Sequence, residues 1–282
     1  MKRAGIAAIV RDEAPYLLEW IAFHRVMGFT DFLIADHGSV DGTRELLAAL
    51  AQQGLVQAFD VERVAGDAPQ LRVYHQLLEA WPEQIDWLAF IDADEFLLPE
   101  EGTSMLPVLT QAMAPEDVSA LALNWATFGS AGHLFASLEP VLSRFTRRGP
   151  RELSVNRHYK CIIKRERASG FLNPHHPQLH WGRLVNALGE DVLSAPEEGG
   201  GLSREVNWRG ARINHYALRS FEEFLCNKAR KGSASQPGRN KHRAYFELHD
   251  RNEESCGIAL ALLPAVQAEM TRLQALLSGT GE

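Results

Sequence analysis

Trp87-Leu88-Ala89-Phe90-Ile91-Asp92-Ala93-Asp94-Glu95-Phe96 is an apolar run that ends abruptly in three acids. The run reads as a buried strand. Carboxylates set side by side at the end of such a strand are unfavourable unless a cation stands between them. An Asp-x-Asp delivered this way is a natural seat for a divalent metal with hard oxygen ligands, the usual partner of a substrate diphosphate.

Outward from this stretch, the first half alternates strand and helix. Gly5 to Val10 reads as a buried strand. Pro15 suits a first helical turn, and Leu17, Leu18, Ile21 and Val26 form a helical stripe running to Met27. Phe32 to Ala35 is a second strand, ending at Asp36. Gly38 lets the chain turn, and Asp41 can cap a helix carrying Leu46, Leu47 and Leu50. Leu55 to Val61 reads as a third strand and Pro69 to Trp81 as a third helix. Repeated βα units predict an α/β fold with a mostly parallel central sheet flanked by helices. Ligands of such sheets bind beyond the carboxyl ends of the strands, where Asp36 and Asp92 both fall.

The second half is less regular. Val118 to Trp125, Lys160 to Arg165 and Arg212 to Tyr216 are strand candidates. Ser220 to Lys231 reads as a helix, with Ser220 and Glu223 spaced as a capping box. Ala195 to Gly201 and the basic stretch Lys231 to Lys241 read as loops, and Ile258 to Leu277 as an amphipathic helix.

The 282 residues suit one large domain or two closely joined ones. A net charge of -7 argues against nucleic acid as the main partner, so an anionic ligand requires locally concentrated positive charge. Cys161, Cys226 and Cys256 are scattered and form no CxxC pair, so neither a zinc site nor a disulfide framework is expected. A reducing, cytoplasmic setting fits best. Arg11-Asp12-Glu13 breaks the N-terminal segment too early for a signal peptide, and no apolar stretch reaches membrane-spanning length.

Three segments in order resemble family 2-type glycosyltransferases, and most closely the branch that includes the family 92-like enzymes. They are Arg11-Asp12-Glu13-Ala14-Pro15-Tyr16-Leu17-Leu18-Glu19-Trp20, Ala35-Asp36-His37-Gly38-Ser39-Val40-Asp41-Gly42-Thr43, and Ile91-Asp92-Ala93-Asp94-Glu95-Phe96. The second motif often reads Asp-Asp-Gly-Ser in that family; here His37 replaces the second acid. Asn124 to Ser130 and Asn214 to Phe224 extend the resemblance, which covers roughly residues 5 to 232.

The resemblance implies a GT-A fold, a nucleotide-sugar donor with UDP favoured, and Mn²⁺ or Mg²⁺ as cofactor. It implies a donor half over residues 1–125, an acceptor and catalytic half over 126–232, and a basic loop with a C-terminal helical tail over 233–282. Glu13 and Asp36 would lie near the nucleoside, Asp92 and Asp94 would serve ribose and metal, and His215 would complete the metal site. Lys228, Arg230 and Lys231 would fold over the diphosphate, with the basic loop as a lid; the plain alternative is that they complement a helix C-terminus. The acceptor would be a glycan or glycolipid, which is compatible with peripheral association at the inner face of a membrane.

An inverting transferase also needs a base for the acceptor hydroxyl. His133 and Glu222 are the candidates, whereas Glu190-Asp191 reads as a surface turn. His175-His176-Pro177 with His180 reads as a solvated loop or an acceptor-pocket wall. Trp125, Phe128 and Trp181 could stack on a sugar, with core packing the default. Two rivals stand beside the transferase. One is a haloacid-dehalogenase-type phosphatase, whose motif wants Thr or Val where this chain has Phe96. The other is a non-catalytic nucleotide-sugar or carbohydrate-binding protein.

Overall fold

A computed structural model describes residues 2–63, 69–193, 200–231 and 241–279. The expected lid loop therefore lies almost wholly outside the described residues, as does most of the Ala195–Gly201 loop. In chain order the first half comprises β1 (Ala4–Val10), α1 (Ala14–Val26), β2 (Asp31–Asp36), α2 (Thr43–Gln52), β3 (Gln57–Asp60), α3 (Gln70–Glu79), β4 (Trp87–Phe90), β5 (Glu95–Pro99), α4 (Leu106–Ala112) and β6 (Val118–Thr127). Next come α5 (Val141–Arg144), β7 (Arg147–Arg148), β8 (Tyr159–Lys164), β9 (Ala168–Asn173), β10 (His176–Leu179), β11 (Arg183–Val185) and β12 (Ala211–His215). Then follow α6 (Phe221–Glu223), a π-helical turn (Phe224–Lys228), α7 (Ala229–Lys231), α8 (Arg243–His249), β13 (Glu254–Ser255) and α9 (Leu263–Leu277).

The expected α/β architecture is the one the chain adopts. The central sheet runs β3-β2-β1-β4-β8-β6-β12-β5, with β11 pairing β6. Five of the eight strand pairings described for it are parallel. The antiparallel ones arise where β8 inserts between β4 and β6, and where β5 pairs β12. Strands from both sides of residue 125 thus interleave in one sheet.

Side chains alternate across this sheet, as the pleat requires. Ile6 and Ala8 of β1 join Trp20, Phe23, Leu47, Leu109 and Val266 on one face. Ala7 joins Leu33, Val73, Tyr74 and Phe171 on the other. Burial on both faces explains why β1, β4 and residues 32–35 of β2 are apolar throughout rather than alternating.

β5 was not foreseen. The main chain turns tightly after Asp92, with the Glu95 amide donating to the Asp92 carbonyl at 3.0 Å. β5 then pairs antiparallel with β12, setting Glu95 opposite His215. Among the described residues no helix is long and apolar enough to cross a membrane.

Candidate active site

The Asp92–Asp94 turn is built on a buried scaffold. Lys160 of β8 is 1% exposed and donates to Asp92 Oδ2 at 3.1 Å. Gln70 Nε2, on the first turn of α3, donates to Asp92 Oδ1 at 2.8 Å. Glu95 is fully buried, accepting from the Asp92 amide at 2.8 Å and from Trp125 Nε1 at 2.7 Å. Burial pushes the Glu95 carboxyl up to about 8; Lys160 opposes this, and Asp92 and Asp94 add to it. Burial alone would lower the Lys160 pKa, but Asp92, Glu95 and Tyr74 hold it well above the ordinary lysine range. Lys160 is the cation that carboxylates at a strand end demand.

Asp94 sits next to the second cationic group. Its Oδ2 takes an ion pair from Lys228 of the π-helical turn, while its Oδ1 stands 3.8 Å from His215 Nε2. β12 positions this histidine: the Tyr216 amide donates to the Asp94 carbonyl at 2.8 Å. Burial works to raise the Asp94 pKa, yet Lys228, His215 and Arg219 together hold it well below the usual carboxylate range. Burial keeps His215 neutral, far below its ordinary pKa, with Asp94 opposing and Lys228 reinforcing.

These atoms fit a divalent cation. The 3.8 Å gap is too long for a hydrogen bond. Two atoms each bonded at ~2.1 Å to one metal can stand at such a separation. Because Lys228 uses only Oδ2, Oδ1 stays open to a metal while that ion pair is kept. No cluster of three or more His, Cys, Asp or Glu able to hold a metal occurs among the described residues.

Asp92, Asp94, Trp125, His175, His215, Lys228, Lys231, Lys241 and Tyr245 line one cavity of about 290 Å³, with Arg11, Glu13, His37 and Gln70. Four of its lining residues are cationic and three acidic, against a chain charge of -7. Glu13 is held at 2.8 Å by both Arg219 and Lys231. Burial would raise its pKa, but these two cations lower it. Arg219 also lies over the Tyr16 ring, 3.4 Å from its centroid. Asp12, next to the lining residues Arg11 and Glu13, and Arg219, which pairs with Glu13, take left-handed backbone conformations at φ 51° and 60°, costly for non-glycine residues. Lys241 is pushed down to about 7 by burial and then by Lys228, with Asp94 and Asp92 opposing.

The expected site residues do not all meet. Glu13, Asp92, Asp94, His215 and Lys228 converge on the cavity. Asp36 is 2% exposed and sits behind the wall, accepting from Ser39, with Arg44 at 3.8 Å; its neighbour His37 lines the cavity instead. Arg230 is exposed and off the lining, and Lys231 takes the inward position. His133 and Glu222 both lie off the lining, and Glu222 accepts from the Ala136 amide at 2.8 Å.

Glu190 and Asp191 form an exposed turn tied to Asn186 and Arg183. His180 is exposed, whereas His175 lines the cavity. Phe128 is core, and Trp181 is 48% exposed under the Arg167 guanidinium. Trp125 packs against the His215 and His158 rings, at 4.0 and 4.8 Å between centroids, rather than standing free as a platform.

Three pocket-building residues were missed, Gln70, Lys160 and Arg219, while His175 had been read as loop or acceptor-pocket wall. Lys160 had a legible signal, a lysine inside the otherwise apolar Tyr159-Lys160-Cys161-Ile162-Ile163. Gln70 and Arg219 are placed by tertiary packing and carry no local mark.

The sequence model of glycosyltransferase family 92 matches residues 6–217. A family 92 protein of Oryza sativa subsp. japonica is 24% identical over 228 residues, covering 78% of this chain and 34% of that relative. One of Arabidopsis thaliana is 24% identical over 231 residues, covering 78% of this chain and 36% of that relative. This chain therefore spans about a third of the length of the curated relatives it matches. Among solved structures, S. aureus TarS 1-349 in complex with UDP matches with TM-score 0.37 at 13% identity, over 57% of this chain and 46% of that one. Glucosyl-3-phosphoglycerate synthase from Mycobacterium tuberculosis, in complex with Mn²⁺, UDP and glucosyl-3-phosphoglycerate, matches with TM-score 0.37 at 15% identity, over 70% and 74% of the two chains. With the family's sequence pattern matched over three quarters of its length, this chain belongs to glycosyltransferase family 92.

Proposed function

We propose that this chain is a metal-dependent glycosyltransferase of GT-A type. It moves a sugar from a nucleoside diphosphate donor, with UDP favoured, to a glycan or glycolipid hydroxyl, with inversion. The observation that carries the reading is the lysine-rich cavity closed around Asp94 and His215. Family membership leaves the phosphatase rival without support. Reading the chain as a transferase rather than a binder rests on the retained Asp-x-Asp turn.

Asp94 Oδ1 and His215 Nε2 would hold Mn²⁺ or Mg²⁺, whose chemistry is Lewis-acid stabilisation of charge on the leaving diphosphate. Lys228, Lys231 and Lys241 bind phosphate oxygens in a partly enclosed site, where fixed charge is worth more than in water. Asp92, held rigid by Gln70 and Lys160, accepts from a ribose hydroxyl. Donor binding falls to residues 1–125 and acceptor binding to 126–232, with His215 and Lys228 reaching back to the donor. We also keep the cytoplasmic assignment as part of this proposal.

The test is UDP release from a panel of UDP-sugars by the full chain with Mn²⁺. Turnover with at least one sugar, abolished by chelation, is the expected result. Metal-independent turnover refutes the metal role, and phosphate release from simple monoesters without UDP release refutes the reading.

A further inference from the structure

We infer that His175 is the base that takes the proton from the acceptor hydroxyl. The inference rests on the glycosyltransferase reading and assigns a role that neither His133 nor Glu222 is placed to fill, both being off the cavity lining.

His175 occupies the turn between β9 and β10. Its Nδ1 stands 3.0 Å from the Tyr159 carbonyl oxygen. A carbonyl only accepts, so Nδ1 carries the proton and Nε2 keeps its lone pair. Nε2 makes no hydrogen bond among the described residues, and the ring lines the cavity. This is the arrangement a general base needs: one nitrogen oriented by a fixed acceptor, the other open to substrate.

The ring is held in place. Asn173 Oδ1 accepts from the His175 amide at 2.9 Å. Gly201, at φ +80°, packs so closely that a Cβ there would come within 2.6 Å of His175 Cβ. The Trp125 edge completes the seat, 5.2 Å away between centroids.

The carboxylates of the wall are committed. Asp94 pairs with Lys228, Glu13 with Arg219 and Lys231, and Asp92 with Lys160 and Gln70. Trp125 stands between His215, 4.0 Å from it, and His175. His175 and His215 thus contact the same indole, and both line the cavity.

The charges facing the ring come from β8, its preceding turn and β12. Burial first, then Lys160 and His158, hold the imidazole well below its ordinary pKa; the Tyr159 carbonyl opposes and His215 reinforces. It is neutral at pH 7, with the Nε2 lone pair available, though a weaker base than a free imidazole. A bound diphosphate adds negative charge and raises its basicity for the step itself.

In that step the acceptor O–H proton passes to His175 Nε2. The oxygen bonds to the anomeric carbon as the bond from that carbon to the diphosphate oxygen breaks. The electron pair leaves on UDP, and the imidazolium, still donating through Nδ1 to Tyr159, later releases its proton to water.

The experiment compares wild type, His175→Ala and His175→Gln in the full chain. It uses Mn²⁺ and a UDP-sugar that the wild type turns over, with UDP affinity measured separately by calorimetry. Loss of one positioned base is worth about 100-fold or more in kcat. The expected pattern is that loss in both variants, UDP affinity unchanged within about twofold, loss of the acidic limb of the kcat–pH profile, and partial rescue of His175→Ala by added imidazole. His175→Gln, close in volume, carries the test if the alanine variant does not fold. Retention of kcat within about threefold, or a fall in UDP affinity that matches the fall in rate, overturns the assignment. Absence of wild-type turnover with every nucleotide sugar, together with absence of UDP binding, overturns the underlying reading instead.

Discussion

Lys160 carries the strand-end acids. A lysine 1% exposed between Asp92 and Glu95 neutralises charge that the Asp92–Asp94 turn otherwise forces together. Removing one partner of such a buried group leaves the rest uncompensated, at a cost of about 3–5 kcal/mol. Lys160→Met is therefore expected to lower folding stability by about that amount in denaturant titration. A loss within about 0.5 kcal/mol, the range of ordinary surface substitutions, would show that the acids do not depend on it.

Lys241 gives a pH signature. Its pKa in the free protein is about 7, depressed by burial and then by Lys228; Asp94 and Asp92 oppose, Lys231 adds, and the Tyr245 ring faces it. A diphosphate binds the protonated amine better, so binding takes up a proton once the free amine is neutral. UDP affinity should therefore fall as pH rises from 7 toward 9, by up to about tenfold per unit. The Lys241→Met variant should bind more weakly at pH 6 and show a flatter profile. Equal slopes in the two proteins would place the titrating group elsewhere.

At the scale of elements, the helical segment from Phe221 to Lys231 delivers Lys228 and Lys231 to the cavity. The Ser220–Glu223 capping box, legible in the sequence, is present in full. Its π-helical turn was not legible, because it depends on where Asp94 and Glu13 wait for the lysines. Such turns often mark functional sites. Glu223 anchors the segment through a two-point ion pair with Arg144, at 2.8 and 2.9 Å, and a bond from Tyr16.

Burial would raise the Glu223 pKa, yet Arg144, Ser220 and Tyr16 hold it down at about 2. A carboxylate depressed in the folded state stabilises above its unfolded pKa and loses that contribution as pH falls. The pair should therefore contribute about 3 kcal/mol at neutral pH, lost between roughly pH 4.5 and 2. Acid unfolding of Glu223→Gln should lack this component, and curves of equal steepness in that window would contradict it.

Two further elements show why part of the site was hidden. Asp92 and Asp36 were read as equivalent strand ends; Asp36 does close β2, whereas β4 stops at Phe90 and Asp92 falls in the turn beyond it. The tight turn into β5 exposes one carboxylate to the cavity, while Ser39 folds back over the other. Likewise, the His175 turn was read as loop or pocket wall because its seat is assembled from β6, β8 and Gly201, far apart in sequence.

At the scale of the whole molecule, the βα alternation and the central sheet were readable from apolar periodicity. The insertion of β8 and the β5–β12 pairing were not, since they are contacts between distant segments. A chain of net charge -7 gathers Arg11, Lys228, Lys231 and Lys241 about one cavity that also holds Asp94 and His215. The central claim is that this cavity binds a diphosphate through a metal held by Asp94. The most direct measurement is calorimetric titration of UDP into the full chain, with Mn²⁺ and with chelator, for wild type and Asp94→Asn. The expected result is binding to wild type that weakens at least about tenfold on chelation, a change of 1.4 kcal/mol or more, with no metal dependence left in Asp94→Asn. Equal UDP affinity in all four titrations, or none in any, would contradict it.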